Sequence, residues 1–215
     1  PIGVDFAAAN LNLMQVEASP AGVVVRAAAS LPYPVEKAAL MADNRRLRAF
    51  VHAALRSAPF SGRRVVAALA PSDVRILPLT VNVPAGHSEQ HAVARAVREQ
   101  IGSSATDAVV DYYQVRSTDA AGAEKQVLAA VSSTPVVVAY LETLRNAGFE
   151  PVALDIGPAA IARLLAAMHR DDHSQSILLI NFGIQRSYLT VIWGRRLMLD
   201  REIEFGEALQ PGIRR

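Results

Sequence analysis

Cysteine is absent from the 215-residue chain, which excludes disulfides and thiolate metal sites and fits reducing surroundings. No strong charge of one sign is present either. A net charge of +2 gives no basis for a nucleic-acid partner. No apolar run reaches the roughly 18–20 residues of a membrane span. The first residues do not read as a signal peptide, because Asp5 interrupts the apolar stretch and no basic region precedes it. A nucleophile elbow of the Gly-x-Ser-x-Gly type, a Walker motif and a dinucleotide fingerprint are all missing. The chain also lacks an initiator Met and stops at GEALQPGIRR, so it reads as a piece of a longer polypeptide. What is present is a foldable composition, 51% hydrophobic, 20% charged and 6% aromatic, with length for one sizeable core or two small ones.

The opening IGVDFA and LNLMQVE read as two strands across a small-residue turn at Ala8–Asn10. Pro20–Gly22 punctuates before GVVVRAAA, a third strand, and LPYPVEK reads as a loop. Asp43 caps a helix whose apolar stripe is Leu47, Phe50, Val51, Ala54 and Leu55. RVVAALA is a buried strand. From Pro71 onwards, RILPLTVNV, a helix capped by Ser88, and the strands AVVDYYQVR and EKQVLAAVS around a turn at Asp119–Gly122 read β–α–β–β. Thr134–Pro135 starts a helix stopped by Gly148, PVALDI is a strand, and Gly157–Pro158 starts another helix. The charged segment HRDDHSQS reads as a linker into a second meander, ILLINFG, SYLTVIW and RLMLDREIEF.

The two meanders echo each other. GVDFAAANLNLMQV and LINFGIQRSYLTVI align without gaps, with Asp5 facing Asn181 and Phe6 facing Phe182. Chance likeness between amphipathic hairpins is one reading. A duplicated domain, with both hairpins facing a shared cleft, is the other. Paired tight turns suit phosphate binding, since backbone N–H groups meet phosphate oxygens and a nearby carboxylate holds hydrated Mg²⁺.

These residues resemble the PilM family of type IV pilus assembly, and more distantly FtsA. GVDFAAANLNLMQVE sits where that family has its first phosphate hairpin, Gly-x-(Asp/Glu)-x-Gly-Ser-Ser-x-x-Lys-Leu. The stretch VLAAVSSTPVVVAYLETLRNAGFEPVALDIGPAAIARLL is the most specific match, and INFGIQRSYLTVIWGRRLMLDREIEFG matches the second hairpin. The resemblance implies an α/β protein of actin-like ATPase fold, with ribonuclease H-like lobes, a small β-α-β-β insert subdomain and an incomplete second lobe. Residues 1–71 plus 132–170 would form the first lobe, 72–131 the insert and 175–215 the start of the second lobe.

By the same resemblance, Asp5, Asn10 and Asn12 on the first hairpin and Asn181, Gly183 and Ser187 on the second would face ATP, with Asp5 as the Mg²⁺ ligand. The departures cut against this. The family's turn Gly is Ala7, its Lys is Asn12, and the second hairpin's Asp is Asn181. Ala obstructs close phosphate approach, and the other two changes remove a phosphate cation and a Mg²⁺-attracting charge. Weak or absent nucleotide turnover is therefore expected, no catalytic residue is assigned, and Asp5 would serve to fix the turn. The resemblance implies a cytoplasmic scaffold, peripheral to a bacterial inner membrane and touching it only through its partner. That partner is the N-terminal cytoplasmic peptide of a PilN-like protein. Contact with the motor ATPase and self-association are compatible with it. Two other readings stand: an active Mg·ATP enzyme of the actin and sugar-kinase class, and the cytoplasmic domain of a GspL-like type II secretion protein.

Other clusters weigh less. His87/His91 and His169/His173 have metal-sharing spacing, but HSEQH has Ser where a zincin helix needs Glu. Arg45, Arg46 and Arg48, with Arg63 and Arg64, could touch acidic lipid or a partner, but helical spacing favours a solvated face. Asp111 and Asp155 lie in or beside strands without an evident catalytic partner.

Overall fold

A computed structural model of the chain describes residues 1–19, 22–102, 106–117, 123–168, 176–182, 187–194 and 196–203. The expected turns at Pro20 and Asp119–Gly122, the linker with His169 and His173, Gly183 and the terminal GEALQPGIRR lie outside the described residues. The chain divides into two units: residues 1–74, 107–109 and 132–157, and residues 75–106, 110–131 and 158–215.

The first unit is a mixed sheet with helices. Strands β1 (Ile2–Phe6), β2 (Asn10–Ser19) and β3 (Gly22–Pro32) form an antiparallel meander. Helices α1 (Lys37–Ala42) and α2 (Asn44–Arg56) follow, then β4 (Arg64–Leu69), which pairs parallel to β1. A 3-10 turn at Pro71–Asp73 leaves the sheet. Further along, α4 (Thr134–Asn146) precedes β8 (Glu150–Ile156), which pairs parallel to β4. The sheet order is β3-β2-β1-β4-β8. Alternation places Ile2, Val4 and Phe6 of β1 on one face, where they are buried with Leu11 and Leu13 of β2. The α2 stripe meets them, with Leu47, Val51 and Ala54 buried and Phe50 and Leu55 partly so. Asp43 caps α2 as expected, its carboxylate accepting from the Arg45 and Arg46 N–H groups at 3.0 Å each. Gly148 ends the α4 region at φ +93°, a conformation that favours glycine.

The second unit carries β5 (Arg75–Asn82), α3 (Glu89–Ile101), β6 (Ala108–Ser117) and β7 (Glu124–Ser133), with sheet order β5-β7-β6. Ser88 caps α3 through the His91 N–H. Helix α5 (Gly157–Met168) then leads to β9 (Ser176–Phe182), β10 (Ser187–Trp193) and β11 (Arg196–Ile203), an antiparallel meander.

The echo between the meanders extends to strand register. Phe6 pairs with Leu11 and Asp5 with Asn12 in the first, and Phe182 pairs with Ser187 and Asn181 with Tyr188 in the second. These are the positions that the gapless alignment equates. Burial, however, is inverted. Ile2, Val4 and Phe6 are buried, while their counterparts Leu178, Ile180 and Phe182 are 62%, 41% and 51% exposed. In the second unit the opposite sheet face is the covered one. Ile192 is buried and Ile177 partly so, in a cluster with Ala162 and Leu165 of α5.

One element was not expected. LPYPVEK leads directly into α1, six residues long, whose N-cap Glu36 makes no side-chain capping bond. A helix this short, uncapped and placed just after two prolines, leaves little trace in sequence.

Candidate functional site

The first hairpin is held by its own polar side chains. The β1–β2 register sets Asp5 opposite Asn12, and Asn12 Nδ2 donates to Asp5 Oδ2 at 3.2 Å. Ser30 on β3 donates to Asn12 Oδ1 at 2.7 Å and accepts from Asn10 Nδ2 at 3.1 Å. Three of the expected site residues, Asp5, Asn10 and Asn12, are thus brought into one chain of hydrogen bonds.

The segment after β3 straps the turn. Tyr33 N–H donates to the Ala9 carbonyl at 3.1 Å, and Tyr33 OH donates to the Ala7 carbonyl at 3.0 Å. Lys37, in the first turn of α1, donates from Nζ to the Phe6 carbonyl at 2.5 Å. Asp73 is presented by the 3-10 turn, with its carbonyl fixed by the Ser132 hydroxyl at 2.7 Å.

These groups share one electrostatic neighbourhood. Burial pushes the Lys37 ammonium below the usual lysine range, while Asp5 and Asp73 act to hold it up. The Tyr33 phenol is pushed up to about 12, first by burial and then by the Asp5 charge. Tyr140 on α4 is raised in the same way, by burial first and then by Asp5, Tyr33 and Asp73. A lysine ammonium therefore stands near Asp5 although the family's hairpin lysine is Asn12. Nothing in the sequence marks it, because Lys37 lies in a stretch that reads as a loop, 31 residues from its partner.

On the second hairpin, Asn181 is exposed opposite Tyr188, and Ser187 is half-buried opposite Phe182. Both belong to the second unit. Nearby, Thr190 is buried and its hydroxyl donates to Asp200 Oδ1 at 2.6 Å. Burial raises the Asp200 carboxyl, and the Thr190 bond works against that rise. His87 lies before α3 and approaches the Ala85 carbonyl, while His91 is in the first turn of the helix. Among the described residues no cluster of three or more His, Asp or Glu could hold a metal ion. No described helix is long and apolar enough to cross a membrane.

A family described as type IV pilus assembly protein PilM matches residues 3–211. The chain belongs to this family. Among solved structures, it is similar to a chain of the PilM–PilN type IV pilus biogenesis complex, with TM-score 0.78 and 25% identity over 99% of its length. It spans 65% of that chain's length. It is also similar in fold to the cytoplasmic domain of EpsL, an inner-membrane component of the Vibrio cholerae type II secretion system. There the TM-score is 0.54 and the identity 14%, over 94% of this chain and 70% of the other. A Bacteroides thetaiotaomicron protein with actin-like ATPase fold and unknown function matches at TM-score 0.50 and 11% identity, over 98% of this chain and 72% of the other. No curated protein matches the chain in sequence. The fold is therefore the actin-like ATPase fold, as the family resemblance implies.

Proposed function

We propose that the chain is an actin-like scaffold in the inner-membrane platform of a type IV pilus machine. It sits on the cytoplasmic side and docks the N-terminal cytoplasmic peptide of a PilN-like membrane protein. The observation that carries this reading is the likeness to a chain of the PilM–PilN complex over nearly the whole length, within a shared family. An extended apolar peptide laid against a preformed surface is the physical mode. The motor ATPase is a second partner in this reading.

The first hairpin supports a scaffold over an enzyme. A hydrated Mg²⁺ on a nucleotide needs carboxylate oxygens, and its phosphates need cations. Here Asp5 accepts from Asn12, Asn12 accepts from Ser30, and the Lys37 ammonium donates to the Phe6 carbonyl. Binding a metal–nucleotide there would compete with these bonds for the same side chains. On this reading the hairpin has become a structural clasp. The likeness to the EpsL domain favours the type II secretion platform as the second reading, with the same scaffold logic.

The test is a fluorescence anisotropy titration of a labelled peptide from the N-terminus of the PilN-like partner. A saturable one-to-one curve in the micromolar range is expected. No change at high micromolar protein would count against docking.

A further inference from the structure

Arg45, Arg48 and Arg63 line one cavity of about 330 Å³ in the first unit, together with His52. Three of these four come from a single stripe of α2, at spacings of three and four residues. The fourth, Arg63, immediately precedes β4. Gly148 forms part of the wall. A Cβ added there would lie 3.7 Å from Arg63 Nη1 and 3.9 Å from Arg48 Cγ, so both side chains close on the same point. Arg48 Nε donates to the Asn146 carbonyl at 3.0 Å, which fixes its stem, and its two terminal nitrogens take part in no described bond. Leu55 and Ala147 add an apolar floor.

Counter-charge is what this cavity lacks. Among the described residues, none of the three lining arginines forms an ion pair within 4.0 Å of a carboxylate, whereas neighbouring Arg46 is spent on Asp43. Converging guanidiniums repel one another, and a bound anion removes that cost. Guanidinium forks match tetrahedral phosphate oxygens, and a phosphate dianion can engage more than one fork at once. A monocarboxylate satisfies one.

We infer that this cavity is a binding site for a phosphate group carried on a small, largely apolar body. No residue of either hairpin lines the cavity. Phenyl phosphate serves as the probe, followed by the amide resonances of Ala147 and Gly148. A saturable shift is expected, weakened about tenfold or more in Arg45→Gln and in Arg63→Gln, as loss of a charge-assisted bond requires. Arg45→Gln is the safer variant, because the Arg45 side chain holds no other part of the fold through a described bond. Arg56→Gln, on the same helix but outside the cavity, is expected to bind like the parent. Vesicles of phosphatidylcholine with and without phosphatidic acid identify the source. Displacement of phenyl phosphate by the phosphatidic acid vesicles alone assigns the group to a lipid, and no displacement assigns it to a soluble ester. A linear shift without saturation, equal binding of benzoate, or an equal loss in Arg56→Gln would overturn the inference.

Discussion

Replacing Lys37 by Met tests whether the first hairpin is a clasp. Met keeps most of the apolar stem and removes the ammonium that bonds the Phe6 carbonyl. A hydrogen bond from a charged donor contributes about 1.5–3 kcal/mol, and an orphaned buried carbonyl costs about 1–3. Lys37 is only half-buried, so water can partly replace its bond. Removing it also relieves the desolvation that depresses its own ionisation. The net loss should be about 1–2 kcal/mol, which for a chain of this size corresponds to a fall in Tm of roughly 2–8 °C. Circular dichroism melting gives the number, and hydrogen exchange at the β1–β2 amides gives its location. Exchange should quicken at Phe6 and the residues of its turn before it does in α2. An unchanged or raised Tm, with β1–β2 exchange unaltered, would mean that Lys37 does not pin the hairpin.

Three further outcomes follow from particular groups. Asp43→Ala removes a cap with two backbone bonds and an ion pair to Arg46 at 3.2 Å, so urea unfolding should show a loss of about 1–2 kcal/mol. Because Tyr33 ionises in the folded state only near pH 12, its contribution is complete below pH 10 and is lost as pH rises through 10–12. In Tyr33→Phe, alkaline unfolding curves should therefore flatten, and one high-pH step should vanish from the absorbance titration of phenolate. Asp200 has a raised folded pKa, so its contribution is complete below pH 3.8 and falls as pH rises through the raised value. Thr190→Val removes the opposing bond and should extend that fall to higher pH, read by melting across the acid range.

Much of the fold is written locally. The α2 stripe, its Asp43 cap, the Ser88 cap of α3 and the Gly148 stop all use short-range rules that read directly from residue type and spacing. The likeness of the two hairpins was visible because register follows from strand alternation and turn length, and both keep four residues between Phe6 and Leu11 or between Phe182 and Ser187. Other features depend on distant packing. Which face of β9 is covered could not be inferred from Leu178, Ile180 and Phe182, because their pattern equals that of the buried β1 face. The Lys37 bond joins residues far apart in sequence through a helix too short to announce itself. Arg45, Arg48 and His52 share a visible helical stripe, but only the folded chain brings Arg63 and Gly148 against it.

The most direct test of a scaffold with a retired nucleotide site is one melting experiment with two ligands. The PilN-like peptide at about a hundredfold over its dissociation constant should add roughly 2.7 kcal/mol of stability and raise Tm visibly, while millimolar Mg·ATP leaves the curve where it was. A clear rise with Mg·ATP and none with the peptide would contradict the account.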